Sequence, residues 1–137
     1  MLELKGVNAG YGSFQALFDI SLEVKAGEAV AVIWPNGAGK TTLMRVISGM
    51  TKPFSGSLTM EGQSLTAIPP HQIVERGVAH VPENRRLFPG MTVEDNLKLG
   101  AFCPTARGKA TQSLSFVYEL FPRMKERRTQ LAGTMSG

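Results

Sequence analysis

The sequence predicts an α/β fold in which a strand feeds a phosphate-gripping loop and the loop opens a helix. Three observations predict it. Ala29-Val30-Ala31-Val32-Ile33 is a short, unbroken apolar run rich in β-branched residues, the composition of a central strand covered on both faces of a sheet. Asn36-Gly37-Ala38-Gly39-Lys40-Thr41-Thr42 comes next, with two glycines set ahead of a lysine and a hydroxyl residue. Leu43, Met44, Val46 and Ile47 then fall at helical spacing until Gly49 stops the run.

The remaining elements follow in chain order. Leu2–Leu4 and Leu17–Val24 read as strands, the second with alternation at Ile20, Leu22 and Val24, and Lys25-Ala26-Gly27-Glu28 is a turn. Gly56 to Leu65 alternates around Glu61-Gly62, the pattern of a hairpin. Pro69-Pro70 opens a short helix to about Arg76, and Val78–Val81 is a second short strand. Thr92 followed by Asp95 has the spacing of a capping box, ahead of a helix carrying Leu97 and Leu99. A final helix is expected from about Lys109 to Met124, ending in the basic stretch Arg123 to Arg128, and no internal repeat is present.

Composition removes several classes. In 137 residues, 42% apolar and 19% charged, there is enough apolar surface for one compact module and too little charge to keep the chain unfolded. Fifteen glycines and eight prolines follow no triplet period, so they belong to turns and loops. A net charge of +4 suits an anionic ligand, but the basic residues are not interleaved with aromatics and no nucleic-acid partner is expected. Cys103 stands alone, which fits a reducing compartment, and His71 and His80 are too few for a metal site. Met1 to Lys5 lacks the apolar core of a signal peptide, and the longest apolar run, Ala29 to Trp34, is far short of the roughly 20 residues a membrane span needs.

In a loop of the G-x-x-x-x-G-K-[ST] type, backbone N–H groups in a tight glycine turn, backed by a helix N-terminus, point at oxyanions. Gly37 and Gly39 would let the backbone approach the phosphates, Lys40 would reach the β and γ phosphates, and the Thr41 hydroxyl would ligate Mg²⁺. One position departs: Trp34 stands where the pattern has its first glycine. Pro35 pushes residue 34 towards extended geometry, in which a tryptophan continues the strand at no backbone cost. Were the loop to need positive φ at that point, an indole would cost on the order of a few kcal/mol.

Tyr11-Gly12, residues 17–28 and the run Pro35 to Leu43 resemble the ATP-binding subunits of ABC transporters, and the resemblance runs the length of the chain. His80 to Phe88 and Met91 to Leu97 resemble the subgroup serving importers of branched-chain amino acids. The resemblance implies a P-loop NTPase fold of the ABC ATPase type, with an N-terminal antiparallel β-subdomain and P-loop core over about residues 1–84 and part of a helical subdomain over about residues 85–137. It implies ATP and Mg²⁺ as cofactors, with Tyr11 stacking on adenine and Asn36, Gly37, Ala38, Gly39, Lys40, Thr41 and Thr42 cradling the phosphates. Glu83 stands where most of the family has a glutamine, and it joins Thr41 as a metal ligand. The implied partners are transmembrane permease subunits and a second ATP-binding subunit, at the inner face of the cell membrane, with Arg85 and Arg86 near the permease contact.

Thr134-Met135-Ser136-Gly137 matches the start of the family's signature loop. The Walker B aspartate, the catalytic glutamate and the switch histidine would lie beyond it, so binding is expected without hydrolysis and no catalytic residue is assigned. Apolar faces and strand edges are expected to lack partners. The alternative is a non-enzymatic remnant or docking module, its nucleotide binding lost through Trp34 and the missing C-terminal half.

Overall fold

The computed structural model describes residues 1–35, 39–66, 68–84 and 86–135. The chain divides into two compact units, Met1–His80 and Val81–Gly137.

The first unit is a four-stranded antiparallel sheet with a helix on one face. Strands β1 (Leu2–Tyr11) and β2 (Phe14–Val24) form a long hairpin, and β3 (Ser55–Met60) and β4 (Gln63–Ser64) form a short one. The order across the sheet is β2-β1-β3-β4. The second hairpin turns at Glu61 and Gly62, both with positive φ, the geometry that matches strand twist in a two-residue loop. The first two strands are longer than their apolar patterns, which cover only Leu2–Leu4 and Leu17–Val24. Irregular register between Leu4 and Gly10 hides the alternation, and Asn8 holds that stretch together. Its amide donates to the Gly6 carbonyl (3.1 Å) and Ser55 Oγ (3.0 Å), while its oxygen accepts from Gln15 Nε2 (2.9 Å) and the Asp19 N–H (3.0 Å). Every hydrogen-bonding position of that side chain is filled.

Helix α1 (Lys40–Ile47) packs on the sheet through Leu43 and Val46, which join Leu4, Val7, Ala9, Leu17, Leu58 and Leu65 in the core. It ends at Ser48 and Gly49, where a positive φ turns the chain. Helix α2 (Pro70–Glu75) follows Pro69 and buries Ile73.

Two expected strands do not form. Residues Ala29–Ile33 run outside any ladder among the described residues, and so do Val78–Val81. Val32 and Val78 pack against the core, but Ile33 is 94% exposed. The β-branched run favours an extended backbone, but a ladder also needs a partner strand at its edge, and none pairs with it among the described residues. Between that helix and β2 lies an apolar groove of about 350 Å³ bordered by Leu22, Val30, Val32, Met44 and Ile47.

The second unit is helical: α3 (Val93–Leu99), α4 (Pro104–Arg107), α5 (Ala110–Leu120) and α6 (Pro122–Glu126), then a 3₁₀ turn at Ala132–Thr134. Thr92 caps α3 as its spacing predicts, accepting from the Asp95 N–H at 3.1 Å. Glu94 ties α3 to its neighbours, pairing with Lys98 (2.6 Å) and Arg128 (3.8 Å) and accepting from the Tyr118 hydroxyl on α5 (3.1 Å). The single helix expected from Lys109 to Met124 is two helices, because Pro122 forces Phe121 out of helical geometry (φ −129°, ψ 74°). Among the described residues no helix is long and apolar enough to cross a membrane.

Candidate functional site

The first turn of α1 has four orphan N–H groups, and nothing in the sequence around it neutralises them. Its N-cap is Gly39, which has no side chain to cap with, and no acidic residue occupies the first turn. A helix start of this kind attracts an anion. Gly39 itself is compelled: it sits at φ 114°, and a Cβ there would lie 2.8 Å from both the Ala16 carbonyl oxygen and Leu17 Cδ2. The glycine lets the loop come down against β2, and its carbonyl accepts the first helical bond from the Leu43 N–H at 2.8 Å.

Lys40 Nζ donates to the Trp34 carbonyl at 2.6 Å, reaching back across the loop. Thr41 is exposed in the first turn, whereas Thr42 is buried. Thr42 Oγ1 donates to the Tyr11 hydroxyl at 3.4 Å, and Arg45 Nη1 donates to the same oxygen at 3.2 Å. The Thr42 contact, followed by those of Arg45, holds the phenol below the ordinary tyrosine range, against the opposing pull of partial burial. Tyr11 is 43% exposed at the tip of the β1–β2 hairpin.

The structure thus brings Tyr11, Gly39, Lys40, Thr41 and Thr42 together at one end of α1. Asn36, Gly37 and Ala38 lie outside the described residues. Glu83 belongs to the second unit, where it is exposed. Trp34 is not among the described residues with positive φ, and its side chain packs half-buried against the core of the first unit. The strained alternative for this position is not realised. Arg45 was not among the residues singled out from sequence, although a signal exists: it follows Thr42 by three residues, so whatever touches one on this helix meets the other. His80 has its Nδ1 3.1 Å from Ser48 Oγ at the end of α1. Among the described residues, no group of three or more His, Cys, Asp or Glu could hold a metal ion.

The ABC transporter family profile matches residues 17–137. The chain belongs to the ABC transporter family. It is 47% identical over its whole length to the high-affinity branched-chain amino acid transport ATP-binding protein BraG of Pseudomonas aeruginosa. It is 34% identical, again over its whole length, to a probable branched-chain amino acid transport ATP-binding protein of Archaeoglobus fulgidus. The chain spans 58% of each of these relatives. Among solved structures, an ATP-binding subunit of an ABC transporter superposes with a TM-score of 0.84 at 31% identity, over 98% of this chain and 55% of that one. An ABC transporter cassette solved in its ADP conformation superposes with a TM-score of 0.75 at 26% identity, over 99% and 59%. The antiparallel sheet and the helices that follow it are those of an ABC ATPase domain, as the sequence resemblance implies.

Proposed function

We propose that this chain is the nucleotide-gripping part of an ABC importer ATPase subunit and that it binds Mg-ATP. The observation that carries the reading is the uncapped, acid-free start of α1, with Lys40 held across the loop and Tyr11 seated beside the same turn. The residues fit the group. A phosphate would accept from the first-turn N–H groups and from Lys40, and Gly39, lacking a Cβ, lets the start of α1 that presents them sit against β2. Asn36, Gly37 and Ala38 would complete the cradle, a role that rests on the sequence pattern, and Thr41, an exposed residue, carries a hard hydroxyl oxygen suited to Mg²⁺, which would supply charge neutralisation at the phosphates when bound. Tyr11 offers its exposed ring to adenine. Glu83 has the metal-ligand role that the resemblance gives it, with no geometry attached.

The proposed transport task is import of branched-chain amino acids, supported by the two relatives whose names carry it. On this reading the second unit is part of the helical subdomain, the partners are permease subunits and a second ATP-binding subunit, and the place of work is the cytoplasmic face of the membrane. No residue of the chain is assigned a catalytic part in hydrolysis.

Trp34 gives the test, since it is the only tryptophan and its carbonyl accepts from Lys40. Mg-ATP is expected to change its emission and to stabilise the protein by about 2.7 kcal/mol near 100 times Kd. Lys40→Ala is expected to abolish both responses. Silence from both probes at millimolar nucleotide would overturn the proposal and leave a docking module.

A further inference from the structure

We infer that Arg45 is a positioning residue for the nucleotide base, holding the Tyr11 ring by its hydroxyl so that the ring face stays open for stacking. The inference rests on the reading of Tyr11 as the base platform and adds the residue that sets it.

Tyr11 is the last residue of β1, at the tip of a hairpin whose turn is Gly12 and Ser13. An aromatic in that place swings about its Cα–Cβ bond unless its far end is tied. The Thr42 and Arg45 hydrogen bonds to the phenol differ in kind, and Thr51 is a further polar neighbour of the same hydroxyl. Thr42 Oγ1 lies 3.4 Å from the phenol oxygen, near the limit for a hydroxyl pair, and is neutral. Arg45 Nη1 lies 3.2 Å away and is charged, so it is the stronger donor. The guanidinium carbon is 5.8 Å from the ring centroid, at the outer edge of the range for a cation over a ring, so the hydrogen bond at the hydroxyl fixes the ring. A cation seated squarely on the face would compete with a base for it; one hydrogen-bonded to the hydroxyl and 5.8 Å from the centroid covers that face only at its margin. Arg45 is itself anchored in α1, one turn beyond Thr41, so the platform for the base and the cradle for the phosphates share a rigid element. That arrangement fixes the distance between the two ends of a nucleotide.

The experiment measures binding of Mg-ATP and of Mg-tripolyphosphate, which has no base, to the full chain and to Arg45→Met, Tyr11→Phe and the double variant. Each single change is expected to weaken ATP about fivefold, the double no more than either single, and tripolyphosphate binding is expected to stay as it was. Tyr11→Phe keeps the ring and removes only the hydroxyl, so the test survives if Arg45→Met folds poorly. A spectrophotometric titration gives a readout that a purely structural role would not move. Burial and Glu94 push the Tyr118 phenol up while Thr42 and Arg45 hold that of Tyr11 down, and Arg45→Met should raise the lower step. Equal weakening of both ligands would make Arg45 a phosphate contact, and an unaltered ATP affinity or an unmoved lower step would remove the tie; either overturns the inference. If the unaltered chain binds neither ligand, the nucleotide site itself falls, and this inference falls with it.

Discussion

Gly39 shows how much of the site depends on a missing atom. Its φ of 114° lies where side-chain-bearing residues are strained, and its neighbours on β2 leave no room for a methyl group. Gly39→Ala is expected to cost about 2 kcal/mol or more of stability, read as a lower urea midpoint, because Ala16 lies between Gln15 and Leu17, both paired to β1, and the Gly39 carbonyl holds the Leu43 N–H. An unchanged midpoint would mean that the loop repositions freely, and the rigid cradle would have to be given up. Trp34 is the opposite case, a large residue where a glycine is usual. It is accommodated because its backbone stays out of the left-handed region and its side chain packs against the core. Pro35 foretells the first half of that outcome; nothing local in the sequence foretells the second.

At the scale of elements, the legible features are those that one segment settles by itself. The cap at Thr92, the Glu61-Gly62 turn and the start of α1 each follow from residues within one turn of one another. The break at Phe121 was equally local, since a proline after a helical residue is a stop signal, but the apolar spacing on both sides of Pro122 masked it. Asn8 was not legible, because its four partners come from three different strands. Neither was Glu94, which looks from sequence like an i,i+4 partner of Lys98 and also joins Tyr118 and Arg128. This cluster has a pH dependence with a defined sign. Lys98, and after it Tyr118, hold the Glu94 carboxyl below the usual glutamate range, so its stabilising contribution is full above about pH 4.3 and is lost as the pH falls through the lowered folded value. Lys98 is raised by the same contact, so its share is full below about pH 10.4 and is lost as the pH rises through its raised value. Glu94→Gln should therefore melt lower than the unaltered protein at neutral pH, with the gap closing at acid pH. A gap that does not depend on pH would point to lost packing instead.

Over the whole molecule, the sheet that forms is the one whose strands are all partnered within the chain. Segments 29–33 and 78–81 have strand composition but no ladder, and the chain spans 58% of the curated relatives that match it over their shared length. Apolar side chains of both segments are exposed: Ile33 at 94% in the first unit and Val81 at 92% in the second. Patches of this kind bind hydrophobic dyes and favour association. The chain is expected to enhance anilinonaphthalene sulfonate fluorescence while its circular dichroism remains that of a folded α/β protein, with Ile33→Ser lowering the dye signal. No dye binding by the folded chain would show that these residues are covered in solution.

The contact between Lys40 and the Trp34 carbonyl engages one of the three N–H donors of the ammonium. It fixes where the charge sits at the start of α1 and does not by itself use up the other two. An acceptor arriving there adds a bond to the tether and need not break it, and of the common acceptors a phosphate oxygen would form the strongest, because both partners then carry full charge.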